Sequence, residues 1–227
     1  DLTTAELFSG RATITPTATR TKALPTGSAV AAFVAGESAT HPSWRWVVYN
    51  IAAVAADLTN SLAITGATGA TLRPASVFLA PKGSVEFIGR MTSATEYELQ
   101  VVGVVEGRAV NSAAAVTGFT TAVTTTVSVQ AGLRSGVVRI HPFSGTSNAE
   151  TMTMTSVVLP SQIRPPTESR TAGSFTDDGN TNETGFVVLG TDGTVAFVMD
   201  GNGRFDPINS KGLFSAAEVH FTWNTAT

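Results

Sequence analysis

Two polar segments in the C-terminal half carry the side chains best suited to chemistry. They span residues 167–184 and 200–211. Their carboxylate and amide oxygens are potential cation ligands, and together with guanidinium groups they hydrogen-bond hydroxyl-rich ligands. Because binding residues concentrate on loops held by a rigid scaffold, we take these side chains as the candidate binding site. The candidates are Arg170, Asp177, Asp178, Asn180, Asn182, Asp200, Asn202, Arg204 and Asp206.

The segment DGNGRFD, residues 200–206, alternates acidic and amide side chains with glycines, as a calcium loop does. An EF-hand loop needs oxygen ligands at positions 1, 3 and 5, glycine at position 6 and glutamate at position 12. Counted from Asp200, the fifth and sixth positions hold Arg204 and Phe205, and Lys211 holds the twelfth. A guanidinium group repels a cation, so the match fails. The segment is predicted to be a turn or a recognition loop.

The segment DDGNTNET, residues 177–184, matches a calcium loop better but incompletely. Asp178, Asn180 and Asn182 hold positions 1, 3 and 5. The sixth position is Glu183, where the loop requires glycine. The alternative for both polar segments is a solvated turn built from turn-forming residues. The sequence therefore predicts no metal site and no cofactor.

The sequence offers no convincing catalytic constellation. His41, His141 and His220 lie in different predicted elements, and no Gly-x-Ser-x-Gly motif accompanies them. A polysaccharide depolymerase needs two carboxylates at one cleft. Glu96 and Glu98 share a strand face about 7 Å apart, but such a pair is ordinary on an exposed strand. We therefore predict that the protein is not an enzyme.

The composition excludes several classes of protein. The formal net charge is −3 and 14% of residues are charged, with no basic cluster, so we expect no nucleic-acid partner. The chain has no cysteine, which excludes disulfides and cysteine-ligated zinc. No apolar run reaches the roughly 18 residues of a membrane helix, so we expect no membrane insertion. Because the chain begins at Asp1, we expect it to be trimmed, processed or cut from a longer protein.

Alternating apolar and polar residues between turn signals predict about a dozen short strands and an all-β fold. Trp44, Trp46 and Trp223 alternate with valine or phenylalanine, which favours burial in a core or a subunit interface. The pair 192–193, Asp-Gly, predicts a two-residue hairpin loop. Only AVAAFVAGESA, residues 29–39, suggests a helical turn, and a strand fits it as well.

The predicted strands form two groups separated by a segment of small residues. We predict two successive antiparallel β-sandwich or jelly-roll-like units. The first unit covers residues 1–106 and the second covers 118–227. Residues 107–117, where the alternation is lost, are the predicted linker. No internal repeat relates the two units.

The first half resembles a small β unit of phage tail fibres and spikes. The matching features are a Thr-rich strand before a Leu-Pro turn in RATITPTATRTKALPTG, residues 11–27, and the strand–turn–strand–strand pattern of residues 75–103. Lys82 separates the Pro and Gly of the turn, and Tyr97 stands where tryptophan is more usual in such units.

The second half resembles the distal tip domain of phage receptor-binding proteins. The matching pieces are VVLPSQIRP at 157–165, GFVVLGTDGTVAF at 185–197 and the terminal strand AEVHFTW at 217–223. Pro160 and Pro165 fix φ and favour extended neighbours, which makes a stiff corner. The glycine usual between these two prolines is absent.

The resemblance implies a homotrimeric virion appendage on the surface of an extracellular particle. Its N-terminal unit would contact other virion proteins, and its tip would adhere to a host-surface receptor, most often a saccharide. One alternative is a purely structural head fibre, capsid decoration or connector protein without a host ligand. The other is a polysaccharide depolymerase.

Overall fold

The computed structural model describes residues 1–35, 43–53, 60–155, 158–177, 180–200, 204–205 and 207–223, with backbone alone for 180–182. Strands hold 57% of the structure and helices 8%, which confirms the all-β prediction. None of the described helices is long and apolar enough to cross a membrane.

The first half contains short helices and strands. They are α1 Thr4–Phe8, β1 Arg11–Ile14, β2 Arg20–Ala23, α2 Gly27–Val34, β3 Ser43–Asn50, β4 Leu62–Thr65, β5 Ala70–Arg73, β6 Ser76–Leu79, β7 Ser84–Ser93 and β8 Glu96–Val105. A five-stranded sheet has the order β1-β3-β7-β8-β5, and a three-stranded sheet has the order β2-β4-β6.

The prediction of an antiparallel first unit is wrong. The pairs β1–β3, β2–β4 and β5–β8 are parallel. Parallel pairs need crossover connections, and the chain between β1 and β3 supplies one through β2 and α2. Alternation in a sequence shows which residues face the core, but it does not show the direction of the neighbouring strand.

Both helices of the described part of the first unit begin at a threonine cap. The Thr3 side chain accepts a hydrogen bond from the Glu6 N–H, and Glu6 accepts one from the Thr3 N–H, which completes a capping box for α1. Thr26 caps α2 in the same way through the Ala29 N–H. The sequence therefore located α2 only partly and missed α1, because five residues are too few to show helical periodicity.

Strand β3 carries its tryptophans toward the core. Trp46 is fully buried and stacks on Phe87, with ring centroids 5.3 Å apart. Trp44 is half-buried and covers Gly89 of β7, where a Cβ atom would lie 2.3 Å from the indole ring. Gly89 therefore makes room for the ring. Trp223, in the second unit, is also buried, which confirms the prediction of burial for Trp46 and Trp223.

The second half forms two antiparallel sheets. Its strands are β9 Gly107–Val116, β10 Val123–Ala131, β11 Ser135–Ile140, β12 Phe143–Thr146, β13 Met152–Thr153, β14 Ser169–Asp177, β15 Asn180–Leu189, β16 Val195–Met199, β17 Ser210–Leu213 and β18 Ala217–Thr222. The four-stranded sheet has the order β18-β11-β10-β9, and the six-stranded sheet has the order β12-β17-β14-β15-β16-β13. Both sheets contribute to one hydrophobic cluster, so the unit is sandwich-like.

The segment predicted as a linker, residues 107–117, is the strand β9. It pairs with β10 along its length. Its inward residues include Ala109 and Ala114, each 1% exposed. Because alanine is small and weakly apolar, the alternation of this strand is not visible in the sequence.

The segment predicted as a long polar loop, 167–184, is mostly a hairpin. Strands β14 and β15 pair antiparallel from Ser169 opposite Leu189 to Asp177 opposite Asn180. The hairpin predicted at 192–193 is present, but its loop has three residues. The Gly193 N–H donates to the Gly190 carbonyl, and the Gly190 N–H donates to the Thr194 carbonyl. Gly193 takes φ 83°, as the last position of such a loop requires.

The two units have separate hydrophobic clusters that meet near residue 106. The first cluster is built from residues between Leu2 and Val104, with Leu133 at its border. The second holds the core of the C-terminal sandwich together with Phe78 and Ala80. At this joint the Arg108 N–H donates to the Pro81 carbonyl over 3.0 Å.

Candidate functional site

The structure describes the side chains of four of the nine predicted site residues. Asp178, Asn202 and Asp206 lie outside the described residues, and Asn180 and Asn182 are described only as backbone of β15. The remaining predicted site residues, for which side chains are described, are Arg170, Asp177, Asp200 and Arg204.

The described candidates do not form one cluster. Arg170 lies near the start of β14 and Asp177 at its end, which separates them by about 23 Å of strand. Asp200 lies nearer the Asp177 end, because its N–H donates to the carbonyl of Thr184 on β15. Arg170 is held beside Glu168 by an ion pair of 2.5 Å. The structure therefore gathers Asp177 and Asp200 toward one end of the sheet and leaves Arg170 at the other.

Asp177 is not a surface contact. It is 8% exposed and lies on the same side of β14 as the fully buried Phe175. Its carboxylate acts on the buried Lys211 amine by electrostatic attraction. The prediction that Asp177 contacts a receptor is therefore not supported by its position in the core.

The segment at 204–205 is fastened to the strand-connecting segment before β13. The Arg204 guanidinium donates to the Glu150 carboxylate over 2.7 Å, and both side chains remain largely exposed. The Phe205 N–H donates to the Glu150 carbonyl over 2.8 Å. The Phe205 ring is buried against the Phe175 ring, with centroids 5.6 Å apart. Phe205 is therefore an anchor, and Arg204 is held in place beside it.

Lys211 is a fully buried cation in the same region, and no pattern in the sequence indicates its burial. Its Nζ donates to the carbonyls of Ala149 and Thr151 over 2.5 Å and 3.0 Å. The rings of Phe119 and Phe205 lie 5.4 Å and 5.5 Å from it. Burial lowers the pKa of Lys211, and the Asp177 carboxylate partly offsets that effect. The amine therefore holds the backbone of residues 149–151 through two hydrogen bonds.

The remaining sequence candidates for chemistry lie apart. His141 and His220 are exposed on separate elements, and His41 lies outside the described residues. Glu98 binds Arg73 and Arg90, and the Arg90 hydrogen bond lowers the pKa of its carboxyl. Within the described ranges, no group of three histidine, aspartate or glutamate side chains is placed to hold a metal ion.

The outer face of the four-stranded sheet carries a polar surface that the sequence did not single out. One row of cross-strand neighbours is Arg108, Gln130, Val137 and His220. The row beside it is Val110, Ser128, Arg139 and Glu218. The strand positions between them, such as Val129 and Val138, point into the core. We call these two rows the outer face.

Two depressions share Val137 of the outer face, and the larger one extends beyond this face to Ser169 of β14. The larger has a volume of about 450 Å³, and its polar lining is Glu106, Ser135, Ser169, His220 and Thr222. The smaller has a volume of about 180 Å³ and is lined by residues of both rows, among them Arg108, Ser128 and Arg139. The larger volume lies within the range of about 300–1,000 Å³ typical of small-ligand sites.

The residues of the outer face come from four strands that are separated in the sequence, so no local pattern indicates this face. Arg108 falls in the segment predicted as a linker, and Glu218 and His220 occur singly between core residues. The register that brings them together depends on antiparallel pairing across β9, β10, β11 and β18. The signal in the sequence that could have indicated this face is the set of outward-facing residues in each alternating strand.

No protein-family model matches the chain, and no curated protein is found to match it.

Proposed function

We propose that the chain is a non-enzymatic virion fibre or spike protein that adheres to a glycan on the host surface. The polar, indented outer face carries this proposal. The donors and acceptors of this sheet face offer hydrogen bonds to sugar hydroxyls, and the backbone pairing of the strands keeps these groups fixed before binding. The larger depression also has room for a small ligand.

The proposal includes the assembly of the protein and the roles of its two units. The chain forms a homotrimer, and the first unit contacts other virion proteins. Three equivalent weak sites on one particle gain avidity when they bind a repetitive polysaccharide. Two observations are compatible with contacts at the first unit: Val102 is 46% exposed and Val105 61% exposed. Exposed apolar side chains of this kind are typical of protein-contact surfaces when they cluster.

A purely structural virion protein is the second candidate, and the same exposed valines favour it. In that case all contacts are with other virion proteins, and the outer face is only a solvated surface. A depolymerase has less support, because arginine partners hold the Glu98 carboxyl in its ionised form, whereas a general acid needs a raised pKa.

A glycan array with the intact chain tests the proposal. We expect binding to a subset of host-surface polysaccharides and no release of reducing ends during long incubation. Binding to none of them would favour the structural candidate, and release of reducing ends would establish the depolymerase. Size-exclusion chromatography with light scattering tests the assembly, where a stable monomer contradicts the trimer.

A further inference from the structure

We infer that the outer face binds an acidic oligosaccharide across its four strands, with a sugar carboxylate on Arg108. This inference rests on the proposed function and specifies its ligand and site. None of the residues in its two rows is among the nine site residues predicted from the sequence.

The order of the side chains gives the direction of the ligand. Arg108 and His220 stand at the two ends of one row, with Gln130 and Val137 between them. Three strand spacings separate the ends, which is about 14 Å. A chain of several sugars spans this distance, whereas a single ring does not. The ligand therefore runs perpendicular to the strands.

The shape of the surface provides an apolar contact for the ligand. Val137 lines both depressions, so they adjoin at its side chain. A valine between polar neighbours offers an apolar contact for the C–H face of a sugar ring. The Gln130 side chain donates to the Glu106 carboxylate over 2.6 Å, which joins the polar linings of the two depressions.

The distribution of ion pairs on the outer face favours an acidic group beside Arg108. Arg139 is paired with Glu218 over 3.5 Å, and Glu106 accepts a hydrogen bond from the neutral amide of Gln130. Among the described residues, the exposed side chain of Arg108 has no hydrogen-bond or ion-pair partner. A planar guanidinium binds a carboxylate through two parallel hydrogen bonds. A ligand carboxylate would give Arg108 an ion-pair partner.

The remaining polar groups suit hydroxyls rather than a second charge. Ser128, Ser135 and Thr222 present hydroxyl groups that donate and accept. The carboxylates of Glu106 and Glu218 accept hydrogen bonds from sugar hydroxyls at their remaining lone pairs. This mixture fits a neutral sugar backbone that carries a carboxylate at one place.

The test uses defined uronic-acid oligosaccharides and their carboxyl-reduced counterparts, which have the same linkages but no charge. We measure binding to the intact chain by array and by calorimetry. We expect the acidic members to bind at least ten-fold more tightly than the reduced ones. We also expect Arg108→Ala to weaken acidic binding by about ten- to hundred-fold. Rising salt should weaken acidic binding, since the pair is exposed.

Two further variants separate the outer face from other surfaces. Val137→Trp places a large side chain where the two depressions adjoin and should abolish binding. Unchanged circular dichroism shows that the variant is folded. As the control, Arg20→Ala removes an exposed arginine from the first unit and should bind as the wild type does.

The outcomes distinguish this inference from the proposed function. If the chain binds a glycan but Arg108→Ala and Val137→Trp bind it equally well, the site assignment is wrong and adhesion stands. Equal affinity for the acidic and reduced oligosaccharides overturns the choice of an acidic ligand. If no glycan binds, the proposed function falls and this inference falls with it.

Discussion

At the scale of single residues, Lys211 links a buried charge to the order of a surface segment. Its amine donates to the carbonyls of Ala149 and Thr151, and Glu150, which lies between them, binds the Arg204 side chain and the Phe205 backbone. Loss of the amine would remove its hydrogen bond to the Thr151 carbonyl and one of the two hydrogen bonds to the Ala149 carbonyl, which also accepts from the Ser147 hydroxyl over 3.2 Å. We expect this loss to cost about 1–3 kcal/mol in total. The buried amine of Lys211 therefore holds the segment at 149–151, and this segment in turn binds Arg204 and Phe205.

The pH dependence of stability reports this buried amine. Burial lowers the pKa of Lys211 in the folded state. Between this lowered pKa and the ordinary lysine pKa of about 10.5, the unfolded chain therefore binds more protons than the folded chain. The free energy of unfolding therefore rises with pH in that window. We expect this rise to be smaller in Lys211→Met, as measured by urea unfolding from pH 7 to below 10. Equal slopes in the two proteins would contradict the prediction.

The upper limit of that pH range follows from Tyr97. Burial raises the pKa of its hydroxyl, which donates to the Pro25 carbonyl over 2.8 Å. Stability from Tyr97 is fully present below the ordinary tyrosine pKa of about 10 and is lost at higher pH. The two effects oppose each other above that value, so the Lys211 experiment must stay below it.

Lys82 is strained by its backbone conformation, and this gives a second prediction. It has φ 65° in the turn closed by the Gly83 N–H and the Ala80 carbonyl, a position where a type II turn favours glycine. Both Lys82→Gly and Lys82→Ala lose the hydrogen bond from Nζ to the Ile51 carbonyl. Their difference therefore isolates the backbone.

We expect Lys82→Gly to be more stable than Lys82→Ala by about 1 kcal/mol, because alanine keeps the strain of positive φ. Chemical denaturation of both variants measures the difference. In the regular strand β8, Gln100→Gly and Gln100→Ala serve as the matched pair, and there alanine should be the more stable. An alanine preference at both positions would show that Lys82 is unstrained.

At the scale of elements, the sequence predicted strands well where large side chains alternate and poorly where small ones do. The burial of Trp46 in β3 and of Tyr97 in β8 followed from alternation. Strand β9 was missed because alanines fill its inner positions, and β14 was read as a loop. In β14, Gly173 leaves a recess that the Phe175 ring fills, with 2.9 Å between the ring and the place of a Cβ atom. Such recesses depend on the neighbouring side chain and leave little signal in composition.

The outer face depends on which strands pair and in which register, which explains why the sequence located it poorly. Arg108 and His220 are separated by 112 positions in the chain, yet they share one row through three antiparallel pairings. The register of each pairing decides which outward side chains become neighbours. Polar loops can be recognised from composition, whereas a polar sheet face requires the register.

Glu98 joins three strands and gives a prediction at this scale. It lies on β8 and binds Arg73 of β5 and Arg90 of β7. Since both arginines are largely exposed, we expect Glu98→Gln to lower the free energy of unfolding by only about 0.5–1 kcal/mol at neutral pH. The Arg90 hydrogen bond lowers the pKa of Glu98 below its usual value near 4.5. Its stabilisation is therefore present above that pH and is lost as pH falls through the lowered pKa.

Unfolding experiments at pH 7 and pH 3 in low salt measure the Glu98 effect. The difference between wild type and Glu98→Gln should shrink at the lower pH. Glu86→Gln is the control, because Glu86 binds the single arginine Arg45 over 3.1 Å on the same sheet. We expect it to cost less at neutral pH. A loss for Glu98→Gln that is unchanged at pH 3 would show that its carboxylate charge is not responsible.

At the scale of the whole molecule, the first unit and the C-terminal sandwich are joined by a close backbone contact. A Cβ atom on Gly107 would lie 2.3 Å from the Ala80 carbonyl oxygen and 2.7 Å from the Pro81 carbonyl oxygen. Phe78 and Ala80, from the first half of the chain, pack into the second cluster. Only glycine fits at this joint, and the contact ties the turn at 80–83 to the start of β9, whose next residue is Arg108.

We expect Gly107→Ala to push the joint apart, because the obstacles are backbone atoms that cannot move aside. Overpacking of this kind costs about 1–3 kcal/mol, and the weakened joint should let the units unfold separately. Pulsed hydrogen exchange during urea unfolding resolves them, since peptides from 84–104 and 123–140 belong to different clusters.

Gly103→Ala is the control, because its Cβ atom would meet only the Glu86 side chain at 3.4 Å. Coincident transitions in Gly107→Ala, at the wild-type midpoint, would show that the contact does not couple the units. Since Arg108 follows Gly107 directly, the same variant should also weaken binding at the outer face, whereas Gly103→Ala should not.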